Sequence, residues 1–318
     1  MSRSTKAHIL LVFITLLWGI TFVQIKAALE YMSPLLFNAV RMAVAGVAMC
    51  VIFHKDLAKL TAKSARAGAV VGLFLWLGYE FQTVGLKFTT PSKSAFLTGI
   101  CVVLVPLLLA VFFRRHVNRW VLLGAFTAFA GLYLMAFPAG EVLRLSRVNR
   151  GDLLSLCCAV MFAFQIIFIG RATQKYAFRQ IATMMIVSSA VLMWITVPVV
   201  EHSYVTWNAT VIWAVLVTAL LCTVLAFSVQ AWAQQFTPPT HAALIFTMEP
   251  VFAGIAAWVW LGDSLKGRGW AGAALIVGGV LISELKGSTP AEMREETAEE
   301  AEESEQNSSE MELERSPQ

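Results

Sequence analysis

The sequence predicts an all-α membrane protein whose ten transmembrane helices form two inverted repeats of five. Three observations carry that prediction. The 318 residues are 58% hydrophobic and only 14% charged, with a mean hydropathy of +0.70, well outside the range of a soluble domain. Ten apolar stretches come close to the roughly 20 residues that carry a helix across a hydrocarbon core about 30 Å thick. They are continuously apolar rather than alternating, which selects helices over a closed barrel. Finally, residues 82–134 are echoed by residues 230–282 at a constant offset of 148 positions, with Gln82/Gln230, Phe88/Phe236, Thr89/Thr237, Pro91/Pro239, Gly124/Gly272 and Gly131/Gly279 among the matches. A unit with an odd number of crossings must lie upside down relative to its copy, and inverted repeats let one central site open to either side of a membrane in turn.

Taken in order, span 1 (8–28) has basic residues in front, Arg3 and Lys6, as a signal peptide would. Its apolar run is long and no small-residue cleavage pattern follows, so it reads as a retained helix; it carries Trp18 and Gln24. Span 2 (34–54) holds Arg41, where an unpaired guanidinium is costly and a carboxylate, a carbonyl cluster or headgroup contact is expected as partner. In span 3 (66–87), Trp76, Glu80, Thr83 and Lys87 share one helical face. That polar stripe suits a water-filled wall, although Glu80 paired with Arg41 is the structural alternative. Gln82 points away from Glu80, so one of the two faces the interior, and Glu80 is favoured. Span 4 (93–113) aligns Ser94, Thr98 and Cys101, either to meet a solute or to pack helices. Span 5 (119–137) and span 10 (267–285) carry glycines at 124 and 131 and at 272, 278 and 279, read as permitting close helix approach.

Span 6 (151–170) contributes Gln165, and span 7 (180–200) offers no chemistry. Span 8 (209–234) presents Thr223, Phe227, Gln230 and Gln234 as a stripe, with Trp232 as a further aromatic. Span 9 (240–261) places Glu249 directly before Pro250; proline frees a carbonyl one turn earlier, and broken helices near the midplane are where transporters hold solutes. The domain reading is therefore 1–140 for the first repeat, 141–286 for the second and 287–318 for a tail. That tail has eleven Glu against Arg294 and Arg315, leaving the rest of the chain near +13, and no apolar period, so it is expected to be disordered.

Basic residues are denser in the connections on the N-terminal side, including Lys55, Lys59, Lys63, Arg114 and Arg115, which argues for both termini in the cytoplasm. The positive charge thus reflects membrane orientation and gives no reason to expect nucleic acid. The five cysteines lie in apolar spans without a CxxC pair and read as packing residues. The five histidines are scattered one per connection or helix end, and no catalytic, phosphate-loop or dinucleotide motif occurs, so neither catalysis, a metal nor a cofactor is expected.

Leu17-Trp18-Gly19, Asn38-Ala39-Val40-Arg41, Gln82 to Thr90 leading into Ser94 to Gly99, Val103 to Leu107 and Met248-Glu249-Pro250-Val251-Phe252 together resemble the drug/metabolite transporter superfamily, in particular its EamA-type branch. The resemblance covers residues 8–285. It implies a bacterial cytoplasmic membrane protein, a cavity lined by helices 1, 3, 4, 6, 8 and 9, and export of amino acids, other metabolites or toxic compounds. Two departures stand out: Glu80 where the branch commonly has an apolar or small residue, and Phe162-Ala163 where Trp-Gly or Trp-Ala often begins the second repeat. The sequence reading is a secondary exporter of small amphipathic metabolites, working by alternating access. Its cavity is assigned to Trp18, Glu80, Thr83, Thr98, Gln165, Gln230, Trp232 and Glu249, with Arg41 as a structural or coupling charge and the proton as a candidate coupling ion through Glu80 or Glu249. An intramembrane enzyme acting on a lipid-linked substrate, or a sensor or scaffold using the tail, are the alternatives. Oligomeric state is left open.

Overall fold

The computed structural model describes residues 2–86, 88–89, 91–137, 149–261 and 267–286. The acidic tail and Lys87 lie outside them. Besides a four-residue helix at His54–Leu57, the described residues form ten helical units: α1 (Arg3–Ala28), α2 (Pro34–Ile52), α3 (Ala62–Leu86), α4 (Pro91–Gly99 continued by Cys101–Phe112), α5 (Arg119–Ala136), α6 (Arg150–Lys175), α7 (Phe178–Val200), α8 (Ala209–Ala219 continued to Ala233), α9 (Pro239–Phe246 continued by Glu249–Leu261) and α10 (Gly267–Lys286). No strand occurs among these residues beyond one isolated bridge, Met32 to Val205. Nine of the units are long and apolar enough to cross a membrane. The tenth, α9, is split into two shorter helices where Thr247 and Met248 interrupt it.

Capping residues start the helices where the chain leaves the apolar layer. Asn118, Asn149 and Asn208 each accept a backbone N–H from the first turn of α5, α6 and α8, and Pro34 occupies the first turn of α2, where its missing N–H costs nothing. Outward-facing Val47, Val51, Val111, Phe112, Val199 and Val259 are all more than half exposed, a surface that suits lipid and not water.

The two halves are antiparallel, and the closest helix pair shows it. At Gly131 a side-chain Cβ would fall 2.5 Å from the Gly272 carbonyl oxygen, and at Gly124 one would fall 2.6 Å from that of Gly279. Because 272 and 279 are the echoes of 124 and 131, each glycine of α5 meets the counterpart of the other, which only a local two-fold relation between antiparallel helices produces. The breaks obey the same relation. Helix α4 is interrupted at Ile100 and α9 at Thr247-Met248, so the offset of 148 carries one discontinuity onto the other.

The cross-braces between halves are exchanged as well. On the face away from the N-terminus, the Glu201 carboxylate in the connection after α7 accepts the Leu35 and Leu36 amides at 3.0 and 3.2 Å, capping α2. On the N-terminal face, Asp56 in the connection after α2 accepts from the Gln180 side chain through its carbonyl at 2.9 Å and pairs with Arg179 at 3.3 Å, at the start of α7. Truncation of Glu201 to Ala is expected to remove both amide acceptors of α2 and cost about 1–2 kcal/mol. Comparing thermal unfolding in detergent for Glu201→Ala and Glu201→Gln checks it, since glutamine keeps an acceptor oxygen.

Candidate functional site

Where α1, α2, α3, α8 and α9 converge, the apolar interior contains a group of polar side chains, and helix irregularity helps to place them. Helix α8 widens into a π-helical segment at Leu220–Leu225. Such bulges leave carbonyls without their usual partner. The Cys222 carbonyl accepts the indole N–H of Trp18 at 2.9 Å, Thr21 Oγ1 lies 3.2 Å from Cys222 Sγ, and the Thr223 hydroxyl donates to the Thr218 carbonyl at 2.9 Å. The Trp18 ring is thereby held between Phe227 and Phe246, with centroids 5.7 and 5.2 Å away. Its neighbour Gly19 lets α1 approach the break in α9, because a Cβ there would sit 2.8 Å from the Glu249 carbonyl oxygen.

Arg41 enters this group from α2. It is 5% exposed, and its guanidinium carbon lies 4.8 Å from the centre of the Tyr79 ring. Yet Nε and Nη2 of Arg41 are buried with no hydrogen-bond partner among the described residues. Arg41 and Glu249 each lie near enough to act electrostatically on both Tyr79 and Cys222, and no ion pair joins the two among the described residues. Glu249 likewise makes no side-chain hydrogen bond among the described residues, and Gln24 Oε1 is buried without a partner. A cation and an anion therefore share one interior region while each keeps unused hydrogen-bonding capacity. In a low-dielectric setting such groups are costly unless something else satisfies them.

The other residues singled out from sequence are distributed around this centre. Glu80 is turned to α7, where it accepts from the Thr196 hydroxyl at 3.2 Å beside the Trp76 indole, and it does not pair with Arg41. Thr83 accepts the Asn38 amide at 3.0 Å across α2 and α3. Thr98 donates to Cys158 Sγ at 3.8 Å, next to a Ser94–Ser155 contact at 2.9 Å, both between α4 and α6. Gln165 and Gln230 are buried in an amide chain: Gln230 Nε2 reaches Gln165 Oε1 at 3.5 Å and Gln234 Oε1 at 3.0 Å, and Gln234 Nε2 donates to the Ile166 carbonyl at 2.9 Å. Trp232 packs on Phe236 under Lys6, at the N-terminal face. Thus Trp18, Arg41 and Glu249 are brought together, whereas Glu80, Thr83, Thr98, Gln165, Gln230 and Trp232 serve helix seams or the face.

Two features escaped the sequence reading. An uncharged polar residue in a span gives little signal: Tyr79 has only its place beside Glu80 as a pointer, and Asn38 only its place in the Asn38-Ala39-Val40-Arg41 motif. Histidines scattered in the sequence are also partly gathered in space: His8 and His241 meet at Glu284. A concavity of about 900 Å³ between α2 and α7 is lined by Val47, Val51, Val187, Val191 and Ile195 and opens sideways. Its apolar lining suits an acyl chain and not a polar solute.

Comparison with known proteins agrees with this architecture. The model of the EamA-like transporter family matches residues 5–137 and again 149–285. A protein of Archaeoglobus fulgidus named an uncharacterized transporter is 32% identical over 281 residues, covering 87% of this chain and 85% of its own length. A Salmonella typhimurium protein named a probable amino-acid metabolite efflux pump is 26% identical over 302 residues, covering 88% of this chain and 95% of its own. A solved crystal structure superposes with a TM-score of 0.74 over 90% of this chain and 99% of that one, at 18% identity, a likeness of fold alone.

Proposed function

The chain belongs to the EamA-like transporter family, and from that premise we propose that it is a secondary exporter of small zwitterionic metabolites, α-amino acids foremost, that binds them between Arg41 and Glu249. The observation that carries this reading is the buried Arg41 guanidinium, two of its nitrogens without a partner among the described residues, in the neighbourhood of the Glu249 carboxyl group. A solute carboxylate supplies what Arg41 Nε and Nη2 lack, and a solute ammonium supplies what Glu249 lacks. Trp18, Phe227 and Phe246 offer an apolar wall for the remainder of such a molecule. The name of the Salmonella relative points to the same solute class.

Alternating access fits the fold. The halves 1–140 and 141–286 rock about their local two-fold axis, and the matched discontinuities in α4 and α9 are where inverted-repeat transporters place a midplane site. Both termini face the cytoplasm of a bacterial cell in this reading, as the basic connections indicate. Residues 287–318 are dispensable for flux.

Reconstitution into proteoliposomes with counterflow of radiolabelled amino acids tests the proposal. Uptake that exceeds empty vesicles and is competed by unlabelled amino acids supports it. Competition by neither amino acids nor their decarboxylated and deaminated analogues would exclude a zwitterion site. Because Glu80 is spent on Thr196, Glu80→Gln is expected to leave the pH dependence of flux unchanged; a lost pH dependence would return Glu80 to the coupling role.

A further inference from the structure

At the N-terminal end of the bundle, α1, α9 and α10 each contribute one side chain to a compact trio. His8 Nδ1 lies 2.8 Å from Glu284 Oε2, and His241 Nδ1 lies 2.9 Å from Glu284 Oε1. The imidazoles are near parallel, inclined by 18° with centroids 6.0 Å apart. One donor atom from each of the three residues lies within 4.8 Å of the others. We propose that His8, His241 and Glu284 form a binding site for a divalent transition metal of the Zn²⁺ class, clamping the N-terminal ends of α1 and α9 to the C-terminal end of α10.

The chemistry of the donor set decides the ion. Two imidazole nitrogens and one carboxylate suit borderline cations such as Zn²⁺, Co²⁺ or Ni²⁺, whereas Ca²⁺ and Mg²⁺ take oxygen sets. Bonds of about 2.0–2.2 Å need donors roughly 3.3–3.5 Å apart. The two Glu–His separations already lie below that, so only small side-chain adjustments are needed to seat an ion.

The surroundings keep the trio available. His8 Nε2 is buried without a partner among the described residues, so the contact with Glu284 does not exhaust that imidazole. Nearby cations are engaged elsewhere: Arg3 lies over Phe236, Lys6 over Trp232 and Lys286 over Trp120. Side chains of His8 and Glu284 are 22% exposed and His241 only 3%, giving an ion access from one side and a fixed ligand behind it. Three protein ligands leave a fourth position for water. Since α1 also carries Trp18 and α9 carries Glu249, an ion at this clamp restrains two helices of the central group.

Cobalt titration of the purified full-length chain, prepared without a histidine tag, tests the site by visible absorption. Wild type is expected to take up one equivalent with the intense bands of low-coordinate Co²⁺, displaced by Zn²⁺. Both His8→Gln and Glu284→Gln, placed at the partly exposed ligands so that folding is preserved, should weaken binding at least about tenfold, the loss seen when even an outer-shell partner of a metal ligand is removed. His202→Gln, in the connection after α7, should bind as wild type. Absence of saturable one-to-one binding, or equal affinity in monodisperse His8→Gln and Glu284→Gln, overturns the proposal. The readout is metal binding itself, so it stands or falls separately from the transported solute.

Discussion

Arg41→Leu is expected to weaken solute binding by roughly 10- to 100-fold while leaving the solute-free protein as stable as before or more so. The first half follows from the charge-assisted hydrogen bonds that the free Nε and Nη2 would give a carboxylate, worth about 1.5–3 kcal/mol. The second half follows from what Arg41 lacks. A guanidinium locked in a buried ion pair would leave an orphaned carboxylate on removal and cost about 3–5 kcal/mol. Arg41 has only the face of Tyr79 among the described residues, so the desolvation penalty of the charge is removed with little lost in return. Arg41→Lys should not restore binding fully, because an ammonium cannot present two parallel donors to a carboxylate. Thermal unfolding in detergent, with and without an amino acid, separates the two effects. Solute at 100 times the wild-type Kd should stabilise wild type by about 2.7 kcal/mol, and at the same concentration should stabilise Arg41→Leu by only about 0.4–1.4 kcal/mol. Destabilisation of the empty variant without change in solute response would make Arg41 a structural residue.

That prediction depends on knowledge the sequence held only in part. A charge such as Arg41 or Glu249 in an apolar span announces itself by its cost, and Pro250 beside Glu249 marked the broken helix. Glu80 announced itself the same way, yet successive residues on a helix differ by about 100° in direction. Hence Tyr79 faces Arg41 while Glu80 faces Thr196 of α7. Which of two adjacent residues points inward depends on how α3 is rolled against α6 and α7. That roll is set by Gly78 against Phe162 and Gly72 against Ser188, contacts invisible in one chain. The π-helical turn that frees the Cys222 carbonyl for Trp18 has no sequence signature either, because it arises from packing. His8, His241 and Glu284 are far apart in the chain and meet only once α1, α9 and α10 are bundled. Repeat symmetry, by contrast, was legible, because an offset in sequence survives folding as an operation in space.

Gly131→Ala and Gly272→Ala are each expected to destabilise the protein by about 1–3 kcal/mol, the range for forcing an extra carbon into a packed interface. Neither glycine has room for one: a Cβ at Gly131 falls 2.5 Å from the Gly272 carbonyl oxygen, and one at Gly272 falls 2.6 Å from that of Gly131. Backbone oxygens on two helices cannot swing aside as a side chain can, so α5 and α10 must separate. Once they have, the second alanine enters a gap that the first has opened. The double variant should therefore cost less than the sum of the singles, with a coupling of about 0.5–3 kcal/mol. Gly124 and Gly279 repeat the contact two helical turns away, so Gly124→Ala combined with Gly131→Ala should be sub-additive too, although these two residues do not touch. Gly278 lies next to Gly279 with nothing within 4 Å of its Cβ position, and Gly278→Ala should be neutral or mildly stabilising through helix propensity. Full additivity at Gly131 and Gly272 would mean the two substitutions act on separate contacts. The antiparallel pairing of the repeats through α5 and α10 would then be wrong.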